Sequence, residues 1–288
     1  MQLEFCDLHT HSIFSDGTDT PKEILLKAVS RGLRAVALCD HNTANGLADF
    51  LAAAEGLPIE AVAGVELSVD LDGTELHLLG LHIPPQHFPT ANAMIASVNQ
   101  RKEASNQAMV RSLSEACYPI DYEALKRKVS AATPNRAHIA AELTELGLTA
   151  SIDEAFRTLL SEEAGHYVPP KRLTVWEALE FLRSIQAVPV LAHPLLNLDR
   201  ERLQNFLKKA VGCGLLGMET DYSLADEETR IYLRELAKEF GLLPSGGSDY
   251  HGTNKPTIQL GAGEGDLAVP YAYALALQAK SNCLQTKN

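Results

Sequence analysis

The sequence lacks the features of a membrane or secreted protein. No apolar run approaches the ~20 consecutive residues that a membrane-spanning helix needs. The N-terminal residues lack the basic region and apolar core of a secretory signal. The five cysteines, which never have Cys-x-x-Cys spacing, are typical of reduced thiols, so we expect a cytoplasmic protein without a membrane partner. They are Cys6, Cys39, Cys117, Cys213 and Cys283.

Positive charge is also scarce, because 25 Lys and Arg residues stand against 37 Asp and Glu residues, for a net charge of −12. Proteins that coat long nucleic acid neutralise its phosphates with Lys and Arg, so we expect no long nucleic acid as a partner. A small anion can still be attracted by the local field of bound metal ions. The charge balance therefore leaves small phosphorylated ligands as candidates.

Two common catalytic motifs are missing as well. Gly-x-Ser-x-Gly does not occur, which argues against a serine hydrolase. The run Gly246-Gly247-Ser248 is neither a dinucleotide fingerprint nor a P-loop, and its glycines more plausibly permit a close backbone approach. The length of 288 residues suits one large domain or one domain with an insertion, as a monomer or a small homo-oligomer.

Apolar runs alternate with amphipathic helices over the first 66 residues. Residues 3–8, 34–39 and 59–65 are predicted strands, separated by helices that begin near Thr20 and Ala44. Each strand is followed by polar residues, and α/β barrels and doubly wound sheets place their chemistry at the carboxyl ends of strands. The alternation therefore predicts an α/β fold with a site at that end.

The pattern changes after Glu66, which is predicted to end the third strand. Asp72-Gly73 predicts a hairpin with His77 on its returning strand. Residues 90–165 look wholly helical, so we interpret them as a helical subdomain inserted into a barrel of residues 1–89 and 166–288. The barrel pattern resumes in the strands Val188–Ala192, Leu215–Glu219 and Leu242–Ser245.

Six of the ten histidines, with three carboxylates, fall at or just after predicted strand ends. His9 and His11 share one strand face because residues i and i+2 point the same way. An isolated His-x-His can be an exposed strand end, but nine such residues suit two or three divalent ions with mixed nitrogen and oxygen ligands, such as manganese, iron or zinc. The nine are His9, His11, Asp16, His41, Glu66, His77, His193, Asp249 and His251.

These residues lie in motifs that together resemble the PHP (polymerase and histidinol phosphatase) superfamily. The resemblance runs from Asp7 to Gly252 and implies an α/β fold, a distorted (β/α)7 PHP barrel, with a trinuclear metal centre in which manganese is the first candidate. The motifs are Asp7-Leu8-His9-Thr10-His11-Ser12, Ser15-Asp16-Gly17, Asp40-His41-Asn42, Gly64-Val65-Glu66-Leu67-Ser68, His77, Ala192-His193-Pro194 and Gly247-Ser248-Asp249-Tyr250-His251-Gly252.

The resemblance also implies how the ligands divide among three ions. The implied sets are His9, His11, Glu66 and Asp249; Glu66, His77 and His193; and Asp16, His41 and His251. Glu66 would bridge the first two ions. Asp7 and Asp40 would orient neighbouring histidines.

Within the superfamily, Arg136-Ala137-His138 and residues 165–170 are similar to a phosphoesterase subfamily that includes 3′,5′-nucleoside bisphosphate phosphatases and a bacterial 5′→3′ exoribonuclease (RNase AM, TrpH-like). This similarity implies that Arg136 and His138 bind a substrate phosphate, with Lys171 adding positive charge. The alternatives are a surface salt bridge for Arg136, a helix-face histidine for His138 and a solvated loop charge for Lys171.

One departure from the subfamily affects the substrate. Relatives often carry two basic residues one helical turn apart near the start of the insert, whereas here Arg101 is followed one turn later by Ser105. One phosphate or ribose contact is therefore in doubt, and with it the identity of the substrate.

The resemblance implies hydrolysis of a nucleotide phosphate ester by a hydroxide that the metal ions generate. The substrate would be the 3′-phosphate of a 3′,5′-bisphosphonucleotide or a short 5′-phosphorylated oligoribonucleotide. Asp16, His193, His251 and Arg136 are the catalytic candidates, and His193, His251 or a metal-bound water would protonate the leaving alkoxide. The alternatives are a histidinol-phosphate-type phosphomonoesterase and a non-catalytic metal-binding regulatory module.

Overall fold

The structure, a computed structural model, describes residues 4–129, 134, 136–161, 163–167, 169–170 and 172–286. The chain forms two compact units: Met1–Ile95 together with Leu173–Asn288, and Ala96–Arg172. Each boundary of the second unit lies a few residues later than the predicted limits of 90 and 165.

Within the described residues, the first unit contains eight strands in one sheet, in the order β7-β6-β5-β4-β3-β2-β1-β8. Six of them run parallel to one another, while β4 and β8 are antiparallel to their neighbours. The predicted distorted α/β barrel is confirmed. The strands are β1 (Phe5–Thr10), β2 (Ala35–Leu38), β3 (Glu60–Leu71), β4 (Thr74–Leu81), β5 (Val188–Leu191), β6 (Gly217–Tyr222), β7 (Leu243–Gly247) and β8 (Val269–Pro270).

The strand predicted to end at Glu66 instead continues to Leu71. The first part of β3 pairs with the parallel strand β2, and the part from Gly64 onward pairs with the antiparallel strand β4. Because a new partner takes over along the same strand, its backbone groups stay paired and extended past Glu66. The hairpin at Asp72-Gly73 is confirmed, with His77 opposite Ser68.

The barrel nearly closes where β1 approaches the end of β7. The His11 amide donates to the Tyr250 carbonyl and the Asp249 amide donates to the His9 carbonyl, each over 2.9 Å. Gly247 permits this approach, since a Cβ there would lie 2.5 Å from the His9 nitrogen. The closure brings the two histidine-bearing ends of the chain together.

Helices cover the sheet of the first unit and form most of the second. The predicted capping boxes of Thr20 and Thr174 are present in α1 and α7. No helix among the described residues combines the length and the apolar character that crossing a membrane requires. The helices are α1 (Pro21–Ser30), α2 (Leu47–Ala54), α3 (Phe88–Glu115), α4 (Tyr122–Val129), α5 (Arg136–Glu145), α6 (Ile152–Thr158), α7 (Val175–Ser184), α8 (Arg200–Ala210), α9 (Glu227–Glu239) and α10 (Tyr271–Gln285).

Each unit has a core of its own. In the first, strand residues such as Leu8, Leu79 and Val190 pack together with Leu277 of α10. In the second, a separate cluster forms around Leu113 and packs helices of that unit against one another. Because each unit has its own core, the helical segment can be inserted into the sequence of the barrel without changing the packing of the barrel strands.

We predict that Gly247→Ala destabilises the protein by about 1–3 kcal/mol or more, because the new methyl group would collide with the His9 backbone. Gly212→Ala is the matched control, since its Cβ would meet only the Lys209 carbonyl oxygen, at 3.4 Å. Urea unfolding of both variants measures the difference. Equal midpoints would contradict the assigned role of Gly247 in closing the barrel.

Candidate metal centre

The site is built around Glu66, a fully buried carboxylate in the middle of β3. Its two oxygens face different sets of imidazoles. Oε1 lies 2.8 Å from His77 Nδ1 and 3.1 Å from His193 Nε2. Oε2 lies 2.9 Å from His41 Nδ1, 3.2 Å from His9 Nε2 and 3.3 Å from His11 Nε2. One carboxylate therefore stands between two groups of nitrogen donors.

Hydrogen bonding alone does not satisfy this cluster. His9 Nε2, both ring nitrogens of His11 and Glu66 Oε2 are buried without a hydrogen-bond partner, although they lie close together. An unsatisfied buried polar group costs about 1–3 kcal/mol. Imidazole nitrogens and carboxylate oxygens directed into a common space are the donors that a divalent transition-metal ion accepts, so the residues fit metal ions.

Three sets of residues each offer donor atoms within 4.8 Å of one another. They share Glu66, His11 or His41, so the sets form one continuous cluster. The sets are His11, Asp16, His41 and His251; His9, His11 and Glu66; and His41, Glu66 and His77.

The cluster opens toward solvent at its aspartates. Asp249 Oδ1 lies 3.2 Å from His11 Nε2, and its side chain is 24% exposed. Asp16 Oδ1 lies 3.2 Å from His251 Nε2, and its side chain is 55% exposed. Asp16 is therefore the most exposed residue of the cluster, and Glu66 lies at its buried end.

Burial and neighbouring charges shift the pKa values of Glu66, His11 and His77 in different directions. Burial alone would raise the pKa of Glu66, but the charges of neighbouring imidazoles, led by His9, hold it well below its ordinary value. Burial lowers the pKa of His11 to about 3. Burial also opposes the charged form of His77, but the adjacent Glu66 carboxylate raises its pKa to about 9. Near neutral pH, His11 is therefore a neutral imidazole and His77 is protonated in the metal-free protein.

Glu219 of β6 contacts the ring of His9 and the backbone amide of His193, and it was not identified from the sequence. Its Oε1 accepts a hydrogen bond from His9 Nδ1 over 3.0 Å, which leaves His9 Nε2 facing Glu66. Its Oε2 accepts from the His193 amide over 2.7 Å. The available signal was an acid at the end of the predicted apolar strand Leu215–Glu219. Such carboxylate–histidine contacts fix the tautomer of metal-binding imidazoles.

His251 is oriented by the backbone instead. Its Nδ1 donates to the Asp249 carbonyl oxygen over 2.8 Å, so Nε2 is the nitrogen that faces Asp16. Lys255, another residue not identified from the sequence, lies with Nζ 2.6 Å from Asp249 Oδ2. Nothing in the local pattern of the loop distinguishes this lysine from a solvated one.

Asp7 and Asp40, expected to orient neighbouring histidines, accept hydrogen bonds from backbone amides and serine hydroxyls, and one of these amides is that of His9, 3.3 Å from Asp7 Oδ1. Asp7 is buried and accepts hydrogen bonds from the amides of Gly261 and Ser248 and from the Ser248 hydroxyl. Asp40 accepts from the amide and hydroxyl of Ser12 and from the hydroxyl of Ser15. Both carboxylates therefore fix backbone near the cluster, and Asp7 reaches His9 through its amide rather than through its ring.

All nine side chains predicted to bind metal lie in this one cluster, whereas Arg136 and His138, predicted to bind substrate, belong to the second unit. There the Arg136 guanidinium stacks 4.1 Å from the Tyr167 ring centre and 5.1 Å from that of Phe156. It also donates to the Leu160 carbonyl, while its Nε has no hydrogen-bond partner. His138 lies in α5, and Lys171 lies outside the described residues.

We predict that Glu219→Gln lowers metal affinity about 10–100-fold, because an amide cannot accept from both His9 Nδ1 and the His193 amide as a carboxylate does. Glu180→Gln, on the exposed face of α7, is the matched control. Calorimetric titration with Mn²⁺ measures both. An unchanged affinity in Glu219→Gln would show that Glu219 does not orient a ligand.

Comparison with known proteins agrees with this geometry. The PHP domain family matches residues 7–170. The chain is 30% identical to a 5′-3′ exoribonuclease of Haemophilus influenzae, with 85% of this chain and 89% of the relative covered. It is 33% identical to a phosphoribosyl 1,2-cyclic phosphate 1,2-diphosphodiesterase of Eggerthella lenta, with 85% and 94% covered. It is 29% identical to a 3′,5′-nucleoside bisphosphate phosphatase of Chromobacterium violaceum, with 85% and 86% covered.

A solved structure from Bifidobacterium adolescentis, provisionally named a metal-dependent phosphoesterase, is similar over 96% of both chains, with a TM-score of 0.73 and 27% identity. The three relatives compared by sequence are all named as phosphoesterases. The residues of the family match include His9, His11, His41, Glu66 and His77. The chain therefore belongs to the PHP domain family, as the order of its motifs implies.

Proposed function

We propose that this chain is a metal-dependent phosphoesterase that hydrolyses a phosphate ester of a nucleotide. The substrate is the 3′-phosphate of a 3′,5′-bisphosphonucleotide or a short 5′-phosphorylated oligoribonucleotide. The observation that carries the proposal is the buried carboxylate of Glu66 between two groups of imidazoles, with donor atoms that have no hydrogen-bond partner. The relatives named as an exoribonuclease and a nucleoside bisphosphate phosphatase support the nucleotide substrate.

Two or three divalent ions fit the cluster, with manganese as the first candidate and iron or zinc as alternatives. The proposed sets are His9, His11, Glu66 and Asp249; Glu66, His77 and His193; and Asp16, His41 and His251. Such ions supply a nucleophile near neutral pH and neutralise charge on the phosphoryl oxygens. The five free cysteines support a reducing compartment such as the cytoplasm.

The residues of the chain have distinct roles in this proposal. Asp16, the most exposed carboxylate of the cluster, lies where the phosphate enters. His193 and His251 are the side chains from which the leaving alkoxide would take its proton. In the insert, Arg136 and His138 bind a substrate phosphate, since a planar guanidinium can hold two phosphate oxygens at once. The aromatic rings over Arg136 support this role, because they fix the plane of its guanidinium.

The other interpretations are less well supported. A histidinol-phosphate phosphatase does not account for the helical insert with its Arg136 and His138 pair. A non-catalytic metal-binding module does not account for a complete set of nine donors that remains open to solvent at Asp16 and Asp249. The same experiment separates all three.

We expect manganese-loaded protein to release phosphate from adenosine 3′,5′-bisphosphate and to leave 5′-AMP as the product. Asp16→Ala should reduce turnover at least about 100-fold, because it removes a donor at the open end of the cluster. Asp49→Ala, an exposed aspartate on α2, is the matched control. Phosphate release is measured with 3′-AMP, 5′-AMP, histidinol phosphate and a 5′-phosphorylated dinucleotide run in parallel.

Release from histidinol phosphate alone would replace the nucleotide with another phosphomonoester. No release from any of these esters, with metal occupancy confirmed, would contradict the enzymatic proposal and favour the regulatory module. Release from the bisphosphate that persists unchanged in Asp16→Ala would contradict the role of Asp16.

Metal binding should displace protons from the cluster. The pKa of His77 is raised to about 9, so at pH 7 it carries a proton that a metal ion must remove. The apparent affinity for Mn²⁺ should therefore rise as the pH increases toward 9 and level off above it. His11, whose pKa is lowered to about 3, contributes no proton. Calorimetry at pH 7 in buffers of different ionisation enthalpy counts the protons, and a count of zero would contradict the assignment.

A further inference from the structure

A cavity of about 260 Å³ lies beside the metal centre, within the first unit. The segments that follow β5, β6 and β7 form its walls, so it opens at the carboxyl ends of the same strands. His193 and Asp249 belong both to its lining and to the cluster around Glu66. Whatever occupies this cavity therefore lies next to the reacting phosphate.

The surface of the cavity is mainly apolar, and part of it comes from apolar side chains that are exposed and lie outside the hydrophobic core. Leu196 and Leu224 line it with side chains that are 50% and 63% exposed, and Ile258 lines it from the loop after β7. Neither leucine belongs to the hydrophobic core, so neither exposure is explained by packing. Apolar residues grouped at the mouth of a site commonly contact a ligand.

Polar side chains also line the cavity, and hydrogen bonds hold two of them, Ser223 and Lys255, in place. The Ser223 hydroxyl donates to the Ser248 carbonyl over 2.6 Å and ties two walls together. Lys255 is held against Asp249 at the side nearest the metal centre. Thr257 and Glu264 also line the cavity and offer hydrogen-bonding groups to a ligand. Mainly apolar surface with some placed polar groups is typical of small-molecule sites.

We propose that this cavity binds the nucleoside part of the substrate, with the base against Leu196, Leu224 and Ile258 and the reacting phosphate toward His193 and Asp249. The inference rests on the proposed nucleotide substrate. The volume lies below the ~300–1,000 Å³ typical of sites for drug-sized ligands, so it suits one nucleoside rather than several. In an oligoribonucleotide substrate, the same cavity would hold a single nucleoside next to the cleaved ester.

The test replaces both exposed leucines, as Leu196→Ser with Leu224→Ser, and uses Leu275→Ser on α10, which is 48% exposed, as the matched control. Two substrates are compared: adenosine 3′,5′-bisphosphate and the 3,5-bisphosphate of 1-deoxyribose, which has no base. We expect the ratio of kcat/KM for the nucleotide over the baseless ester to fall about tenfold in the double variant, mainly through KM. The control should keep the ratio of the natural chain.

A second variant keeps the test informative if the double variant folds poorly. Leu224→Asp places a charge where the base is proposed to lie, at a position that is already 63% exposed, and should also raise the KM for the nucleotide about tenfold. Binding of adenosine itself, measured by calorimetry, provides a readout without turnover. Wild-type protein should bind adenosine, and both cavity variants should bind it at least about tenfold more weakly.

The possible failures are distinguishable. If the wild-type chain hydrolyses the nucleotide while both cavity variants keep the wild-type ratio and adenosine affinity, the cavity proposal is overturned and the proposed function stands. If the wild-type chain hydrolyses the baseless ester but not the nucleotide, the nucleotide substrate is wrong, and the cavity assignment falls with it.

Discussion

The site depends on one constraint, which is that a buried carboxylate must be shared by five imidazoles from different strands. Glu66 has only about four acceptor positions, and Oε2 makes no hydrogen bond although three ring nitrogens lie within 3.3 Å. The arrangement is electrostatically favourable only while cations, either protons or metal ions, stand between these groups. The barrel therefore has to hold its strands in register closely enough for both oxygens to keep separate partners.

The antiparallel direction of β4 helps to give the two oxygens of Glu66 separate imidazole partners. Because β3 continues past Glu66 and turns back, His77 returns beside Glu66 from the antiparallel neighbour, opposite Ser68. The next strand, β5, pairs with β4 and ends just before His193, whose ring lies 3.3 Å from His77 Nδ1. A fully parallel barrel would supply donors only from strand ends. Here His77 comes from within the antiparallel strand β4. The cluster therefore extends beyond the residues at the carboxyl ends of the parallel strands.

Much of the cluster could be predicted from the sequence because each donor follows or interrupts an apolar run. The two-residue period of a strand places His9 and His11 on one face, and the fold then requires the strand ends to meet. Glu66 lies in the cluster, but in the middle of β3 rather than at the predicted strand end. An apolar run cannot reveal whether the strand continues with a new neighbour, since both partners of β3 accept the same type of residue.

The residues that hold the cluster in place were harder to predict from the sequence than the candidate metal ligands. Glu219 contacts His9 across 210 positions of sequence, and Asp7 contacts Ser248 across 241. These contacts exist only because β1 closes against β7 and because β5 lies beside β6, which no local periodicity encodes. Lone acids in strands are equally compatible with a surface position. Local pattern therefore predicts which side chains donate to a metal, while tertiary adjacency decides which carboxylates fix their rings.

The charge of the site indicates that metal ions bind before the phosphate ester. The protein carries a net charge of −12, and the three carboxylates of the cluster offset the imidazoles whose pKa they raise, so the metal-free site gives little net attraction for a phosphate dianion. Lys255 does not reverse this, since it is already paired with Asp249 at 2.6 Å. The attraction must therefore come from the metal ions themselves. Phosphate affinity is then a consequence of metal occupancy, and the apolar cavity beside Asp249 can select the organic part of the ester without contributing to the charge balance.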